Sequence, residues 1–270
     1  MKALQSIATI SVLALCAAGC TVKSASQFKG TPFDLSAGWK SGGSVTITSD
    51  NGDTTVQAAS GSSVSTHFEP FAIEGYDEES KAVAAMNNDL VHTVTADAKG
   101  NVTVTVGNQG HGGLGAHITV SIPDAFDGAF FVSENNGSTD VQDTRKATSV
   151  DVSSGNGSCG VVAGSPKTIS VSCDNGDMTA SLDGIAADSQ GGSFTTGNGS
   201  IDLAMPSGKF NVQARALAGG KVNTAKNADC TVAGDAPDSK TVSCGGATTA
   251  DPIYKADANG TGLADVNLSF

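Results

Sequence analysis

Cys159, Cys173, Cys230 and Cys244 are the side chains of this sequence best equipped for chemistry, and their spacing decides which chemistry. They fall into two pairs, each with thirteen residues between its members. A structural zinc site needs knuckles whose cysteines stand roughly two to four residues apart, and none exists. No C-x-x-C occurs either, which argues against thiol–disulfide exchange. Structural disulfides remain, with more than one connectivity open. Cys159 and Cys173 are equidistant from Pro166, with Val161 and Val171 inside them; Cys230 and Cys244 are equidistant from Pro237, with Val232 and Val242 inside. A chain folding back at each proline brings each pair together, which predicts Cys159–Cys173 and Cys230–Cys244.

The other reactive groups do not converge in the sequence. His67, His92, His111 and His117 are scattered, and "HGGLGAH" reads as a solvated Gly-rich turn. Asp50, Asn51 and Asp53, like Asp174, Asn175 and Asp177, faintly suggest calcium loops. The full EF-hand pattern is absent, and Asp and Asn are good turn formers in their own right. There is no phosphate loop, nucleophile elbow or H-E-x-x-H. The 27 acidic residues are spread so evenly that no carboxylate pair stands out. These residues predict no catalytic site, no metal site and no cofactor.

What must position these side chains is a repeat. Asn-Gly pairs stand at Asn51-Gly52, Asn136-Gly137, Asn156-Gly157, Asn175-Gly176 and Asn198-Gly199, and the last four glycines are 20, 19 and 23 residues apart. Five residues before the glycine stand Ile47, Val132, Val152, Val171 and Phe194; four after it stand Val56, Val141, Val161, Ala180 and Leu203. Three before and two after, the positions again run small or apolar: Ser49, Glu134, Ser154, Cys173 and Thr196, then Thr54, Thr139, Cys159, Met178 and Ile201. Polar residues fill the gaps. This is period-two alternation on both sides of a corner, and the corner is expected to need positive φ. Parity fits a hairpin as well as a stacked coil; the period near 20 favours coils, which bury a face only by stacking. A sixth pair, Asn259-Gly260, is out of register with Tyr254 and Leu263. One helix is expected, in "DEESKAVAAMNND" at 77–89, with acids at its N-terminus.

The predicted fold class is therefore all-β: a single-stranded β-solenoid or β-helix-like stack of short strands with Asn-Gly corners, and one short helix in the N-terminal part. With 34 glycines and 5% aromatics, the composition agrees.

The first residues, "MKALQSIATISVLALCAAGC", carry Lys2, an apolar stretch too short for a typical span, and small residues before Cys20. They resemble a bacterial lipoprotein signal in which Cys20 is lipidated, with Ala17 where Leu is usual; the alternative is an ordinary secretory cut near Ala18 or Gly19. Either exports the chain to oxidising surroundings. Thr21, in place of Asp, resembles sorting to the outer membrane. The domains expected are a signal peptide at 1–19, a lipidated N-terminus and flexible tether at 20–37, and one β domain at 38–270. That domain is less regular over 38–130, regular over 131–225, and closed by a C-terminal cap at 226–270. The net charge of −12 without clustered Lys or Arg argues against nucleic acid and anionic lipid as partners.

The order of Trp39 before "SVTITSDNGD", then "ITVSIPDAF", then "NNGSTDV", "SGNGSCGV", "CDNGDMTA" and "TGNGSIDL" resembles the bacterial putative-adhesin family of exported β-solenoid proteins, over roughly residues 39 to 215. The resemblance implies attachment at the envelope or surface. The expected function is a lipid-anchored cell-envelope protein that binds or spaces without catalysis. Its partners would be the membrane, through the lipid, and an envelope or surface glycan or protein. The alternative is a polysaccharide-binding or polysaccharide-cleaving β-helix, which would need a row of aromatics and acids on one face.

Overall fold

The computed structural model describes residues 27–73, 76–109, 113–144, 146–260 and 263–270. The leader, Cys16, Cys20 and His111 lie outside the described residues. In chain order the strands begin with β1 (Phe28–Lys29), β2 (Phe33–Gly38), β3 (Val45–Asn51), β4 (Thr54–Ala59) and β5 (Ser63–Ala72). After helix α1 (Glu79–Asn88) come β6 (Leu90–Ala96), β7 (Val102–Asn108) and β8 (Leu114–Pro123). The repeats follow as β9 (Ala129–Asn136), β10 (Thr139–Val141), β11 (Ser149–Asn156), β12 (Cys159–Ala163), β13 (Thr168–Asn175), β14 (Met178–Leu182), β15 (Gly191–Asn198) and β16 (Ile201–Ala204). The last strands are β17 (Phe210–Ala216), β18 (Val222–Thr224), β19 (Cys230–Ala233), β20 (Ser239–Cys244), β21 (Ile253–Ala258) and β22 (Val266–Ser269).

Among the described residues the fold is mostly β, with one short helix and two 11-stranded mixed sheets, neither closed into a barrel. Each Asn-Gly corner passes the chain from one sheet to the other. β3, β9, β11, β13 and β15 pair in parallel and in register in one sheet; β4, β10, β12, β14 and β16 do so in the other. The alignment on glycine becomes physical stacking: Ile47 faces Val132, Val132 faces Val152, Val152 faces Val171, and Val171 faces Phe194. These residues and Val56, Val141, Val161, Ala180 and Leu203 are buried between the sheets. Burying each large apolar side chain contributes about 1.5–3 kcal/mol.

Both ends depart from one parallel stack. At the N-terminal end β7 and β8 lie outside β3 and β4, although they follow them in sequence. Antiparallel strands then add on: β5 to β8, β1 and β2 to β5, and β6 to β7. Helix α1 buries Ala82 and Met86, one turn apart on one face, against that end of the core. The segment 226–270 divides. The hairpin β19–β20 continues the edge by pairing antiparallel to β17. By contrast β21 runs between β15 and β17, and β22 between β16 and β18. This last coil is interior to the sheets rather than a lid on them. Its corner explains why Asn259-Gly260 is out of register. Seven residues separate Ala258 from Val266, where four separate their parallel partners Thr196 and Ile201.

Candidate functional site

The Asn-Gly corners form one continuous edge of the molecule. Its asparagines stack into a ladder in which each side-chain amide donates to the Oδ1 of the neighbour: Asn136 to Asn51 (3.1 Å), Asn156 to Asn136 (2.9 Å), Asn175 to Asn156 (3.0 Å) and Asn198 to Asn175 (2.8 Å). At the N-terminal end Asn51 Nδ2 donates to the Leu114 carbonyl. The expectation of positive φ at the corners holds for Gly52 (121°), Gly137 (157°) and Gly157 (151°), and is corrected for the asparagines. Among the described residues the only non-glycine with positive φ is Ala218. Asparagine is used for the ladder. Glycine is also required by contact between coils: a Cβ on Gly137, Gly157, Gly176 or Gly199 would come within 3.0 Å of the carbonyl oxygen of the glycine in the preceding coil. Only glycine lets the corners stack this closely.

The acids at the corners serve neighbouring coils. Asp53 Oδ1 accepts from the Ser138 backbone N–H (2.9 Å), Asp177 Oδ1 from that of Ser200 (2.8 Å), and Asp50 Oδ1 from Asn135 Nδ2 (3.1 Å). Among the described residues no three His, Cys, Asp or Glu side chains gather as a metal-holding group. His67 is 2.8 Å from Asp34 and 3.7 Å from Glu69. His117 Nδ1 accepts from the Asp53 backbone N–H (3.0 Å) and packs on Phe71. His92 lies against Phe33 and Phe68, beside a groove of about 450 Å³ between the β1–β2 turn and α1. Among the described residues, His67, His92 and His117 form no metal-holding group.

Directly beneath the ladder runs a second file of side chains, three before and two after each glycine. At its N-terminal end it is polar and closed from solvent: Ser49, Thr54, Glu134, Thr139 and Ser154 are all buried. The Thr54 hydroxyl donates to Glu134 Oε2 (2.9 Å), and Ser154 Oγ donates to the Gly137 carbonyl (3.0 Å). Glu134 Oε1, Ser49 Oγ and Thr139 Oγ1 have no hydrogen-bond partner among the described residues. Burial pushes the Glu134 carboxyl up to about 7, against the pull of the nearby Ser49 and Thr54 hydroxyls. Glu134 was visible in the sequence only as a filler of an inward slot. A charged residue at a position occupied elsewhere by Ser, Thr and Cys is the signal that marks it.

Further along, the same file turns apolar, with Met178 and Ile201, and holds Cys159 bonded to Cys173. These two cysteines are on β12 and β13, which belong to different sheets, so the bond crosses the core between consecutive coils. The chain does fold back at Pro166, between β12 and β13, but as an arch from one sheet to the other and not as a hairpin within one sheet. Cys230 and Cys244 are bonded as direct antiparallel partners on β19 and β20, across the turn at Pro237.

No family model matches the chain, and no curated protein is similar to it. Solved structures align with it, two of which follow. One is a "putative cell adhesion protein" from Clostridium sporogenes, 10% identical over 88% of this chain and 99% of that one, with a TM-score of 0.43. The other is a "putative adhesin" from Bacteroides fragilis, 9% identical over 88% and 97%, with a TM-score of 0.32. Their names agree with the family that the sequence resembles. At these identities and TM-scores, the assignment of a role rests on the residues of this chain.

Proposed function

We propose that the chain is a lipid-anchored protein of the cell envelope, held to the outer membrane through Cys20, whose β-solenoid presents a rigid, polar surface for binding or spacing and carries out no reaction. The observation that supports this reading most is the run of five in-register Asn-Gly coils, tied side to side by the asparagine ladder and internally by Cys159–Cys173. A scaffold of this kind holds its outer faces in fixed geometry without a flexible cleft. Its ligand is a glycan or protein of the envelope or the surface.

Two experiments test the reading. Metabolic labelling with an acyl-chain probe should mark the protein, and Cys20→Ser should abolish the label and release the domain from membranes; a membrane-bound, unlabelled Cys20→Ser protein would reject the anchor. Protease treatment of intact cells reports which side the domain faces. Full protection in intact cells, with cleavage after permeabilisation, would exclude a cell-surface adhesin and leave a periplasmic binding or spacing role.

A further inference from the structure

Asn-Gly is the dipeptide most prone to spontaneous loss of its side-chain amide, because glycine places no side chain in the way of the attacking nitrogen. The Gly backbone nitrogen attacks Asn Cγ, a new N–C bond forms, the Cγ–Nδ2 bond breaks, and ammonia leaves with the displaced proton. Water then opens the five-membered ring at either carbonyl, giving aspartate or isoaspartate. One water is consumed, one ammonia is released, and nothing is oxidised or reduced.

Six such pairs occur in this chain, and the fold treats them unequally. In four of them the attacking nitrogen is engaged: Gly52 N–H donates to the Asn136 carbonyl (2.9 Å), Gly137 to Asn156 (2.9 Å), Gly157 to Asn175 (3.0 Å) and Gly176 to Asn198 (2.9 Å). The asparagine side chains of the same four pairs are fixed as donors in the ladder or to the Leu114 carbonyl. Attack therefore requires breaking bonds on both reacting groups and separating neighbouring coils. The fifth pair, Asn198-Gly199, is held in the ladder by the Asn198 amide, which donates to Asn175 Oδ1 (2.8 Å), whereas Asn259-Gly260 differs on each count. Its corner is three residues longer than its neighbour's, which removes it from the ladder. Asn259 is exposed, and only its backbone N–H is held, by the Thr196 carbonyl. Among the described residues neither its side-chain amide nor the Gly260 N–H has a hydrogen-bond partner.

We propose that Asn259-Gly260 is the site at which this protein deamidates spontaneously, and that the asparagine ladder shields the stacked pairs at Asn51, Asn136, Asn156 and Asn175 from the same reaction. The modification adds one negative charge at the corner of the last coil.

The test is peptide mapping by mass spectrometry of the folded full chain aged in warm, mildly alkaline buffer, beside the same chain aged after reduction in denaturant. In the folded protein Asn259 should convert about tenfold faster, or more, than Asn136, Asn156 or Asn175, since each 1.4 kcal/mol needed to open the corner is a factor of ten. In the denatured chain the ranking should collapse, and Asn259→Ser should remove the early product from the folded sample. Conversion of any ladder asparagine as fast as Asn259 in the folded protein would overturn the proposal. So would persistence of the same ranking in denaturant, which would assign the difference to flanking sequence.

Discussion

Cys159–Cys173 and Cys230–Cys244 close loops of the same length, with a sequence separation of 14 in each, yet they staple opposite kinds of neighbour. The first joins two sheets across the core; both its cysteines are buried, and its members sit in slots that Met178 and Thr196 fill in the next coil. The second ties a two-stranded hairpin at the sheet edge, beside the exposed Val232. Loop length fixes the entropy that each bond removes from the unfolded chain. What surrounds the sulfurs fixes the rest. The same contrast separates the regular middle of the molecule, where each strand pairs with a strand on both sides, from the edge hairpin, where β19 pairs with β20 alone.

Removing the disulfides should expose this contrast most strongly. Cys159→Ala with Cys173→Ala should lower stability by about 4 kcal/mol, roughly 3 from loop closure and the remainder from the space left in the core. Cys230→Ala with Cys244→Ala should cost about 3 kcal/mol for the loop and less for packing than the first pair, because Cys244 is buried but Cys230 only partly so. Denaturant melts of both double variants check this, and equal losses would mean that core packing adds nothing at Cys159.

Glycine provides the next comparison. Gly157→Ala drives a Cβ into the Gly137 carbonyl and should cost about 3 kcal/mol. Gly246, near the edge hairpin, has φ 70° and open space around it, so Gly246→Ala should cost only about 1 kcal/mol of backbone strain. Thermal melts would separate the two, and a mild effect at Gly157 would show that coils can part without loss.

The buried carboxyl yields a pH test. Glu134 has its folded-state pKa raised from 4.5 to about 7, so between these values the folded chain binds more protons than the unfolded one. Stability should therefore fall as pH rises through that window, by about 3 kcal/mol, and level off above it. Urea midpoints across the window should show the slope, and Glu134→Gln should flatten it. A slope retained by that variant would place the titrating group elsewhere.

The smallest effect is expected at the solvent edge. Asn156→Ala removes two ladder bonds from an exposed side chain and should cost about 1 kcal/mol, whereas Asn259→Ala, off the ladder, should cost close to none. Paired melts decide it.

The regular middle was legible because one slot of the repeat meets the same slot one coil away. Ile47, Val132, Val152, Val171 and Phe194 share a place relative to glycine, and a parallel in-register pairing turns equal sequence position into equal depth. The pairing of Cys159 with Cys173 was reached through a fold-back at Pro166, which the structure makes as an arch between the two sheets. The symmetry about that proline is shared by a hairpin and by two strands facing each other from opposite sheets. The interior position of β21 and β22 was not legible, because nothing local in "ADVNLSF" says between which coils it inserts.

The sequence by itself determined the alternation, the corners and the identity of the residues that face inward, since these depend on spacing along one chain. Tertiary structure alone decided which coil lies beside which, that asparagine serves a ladder and glycine a close approach, and that Glu134 is sealed beneath them. Each of those depends on the neighbour across about 4.8 Å of strand spacing, and that neighbour can be 20 or 85 residues away in the chain.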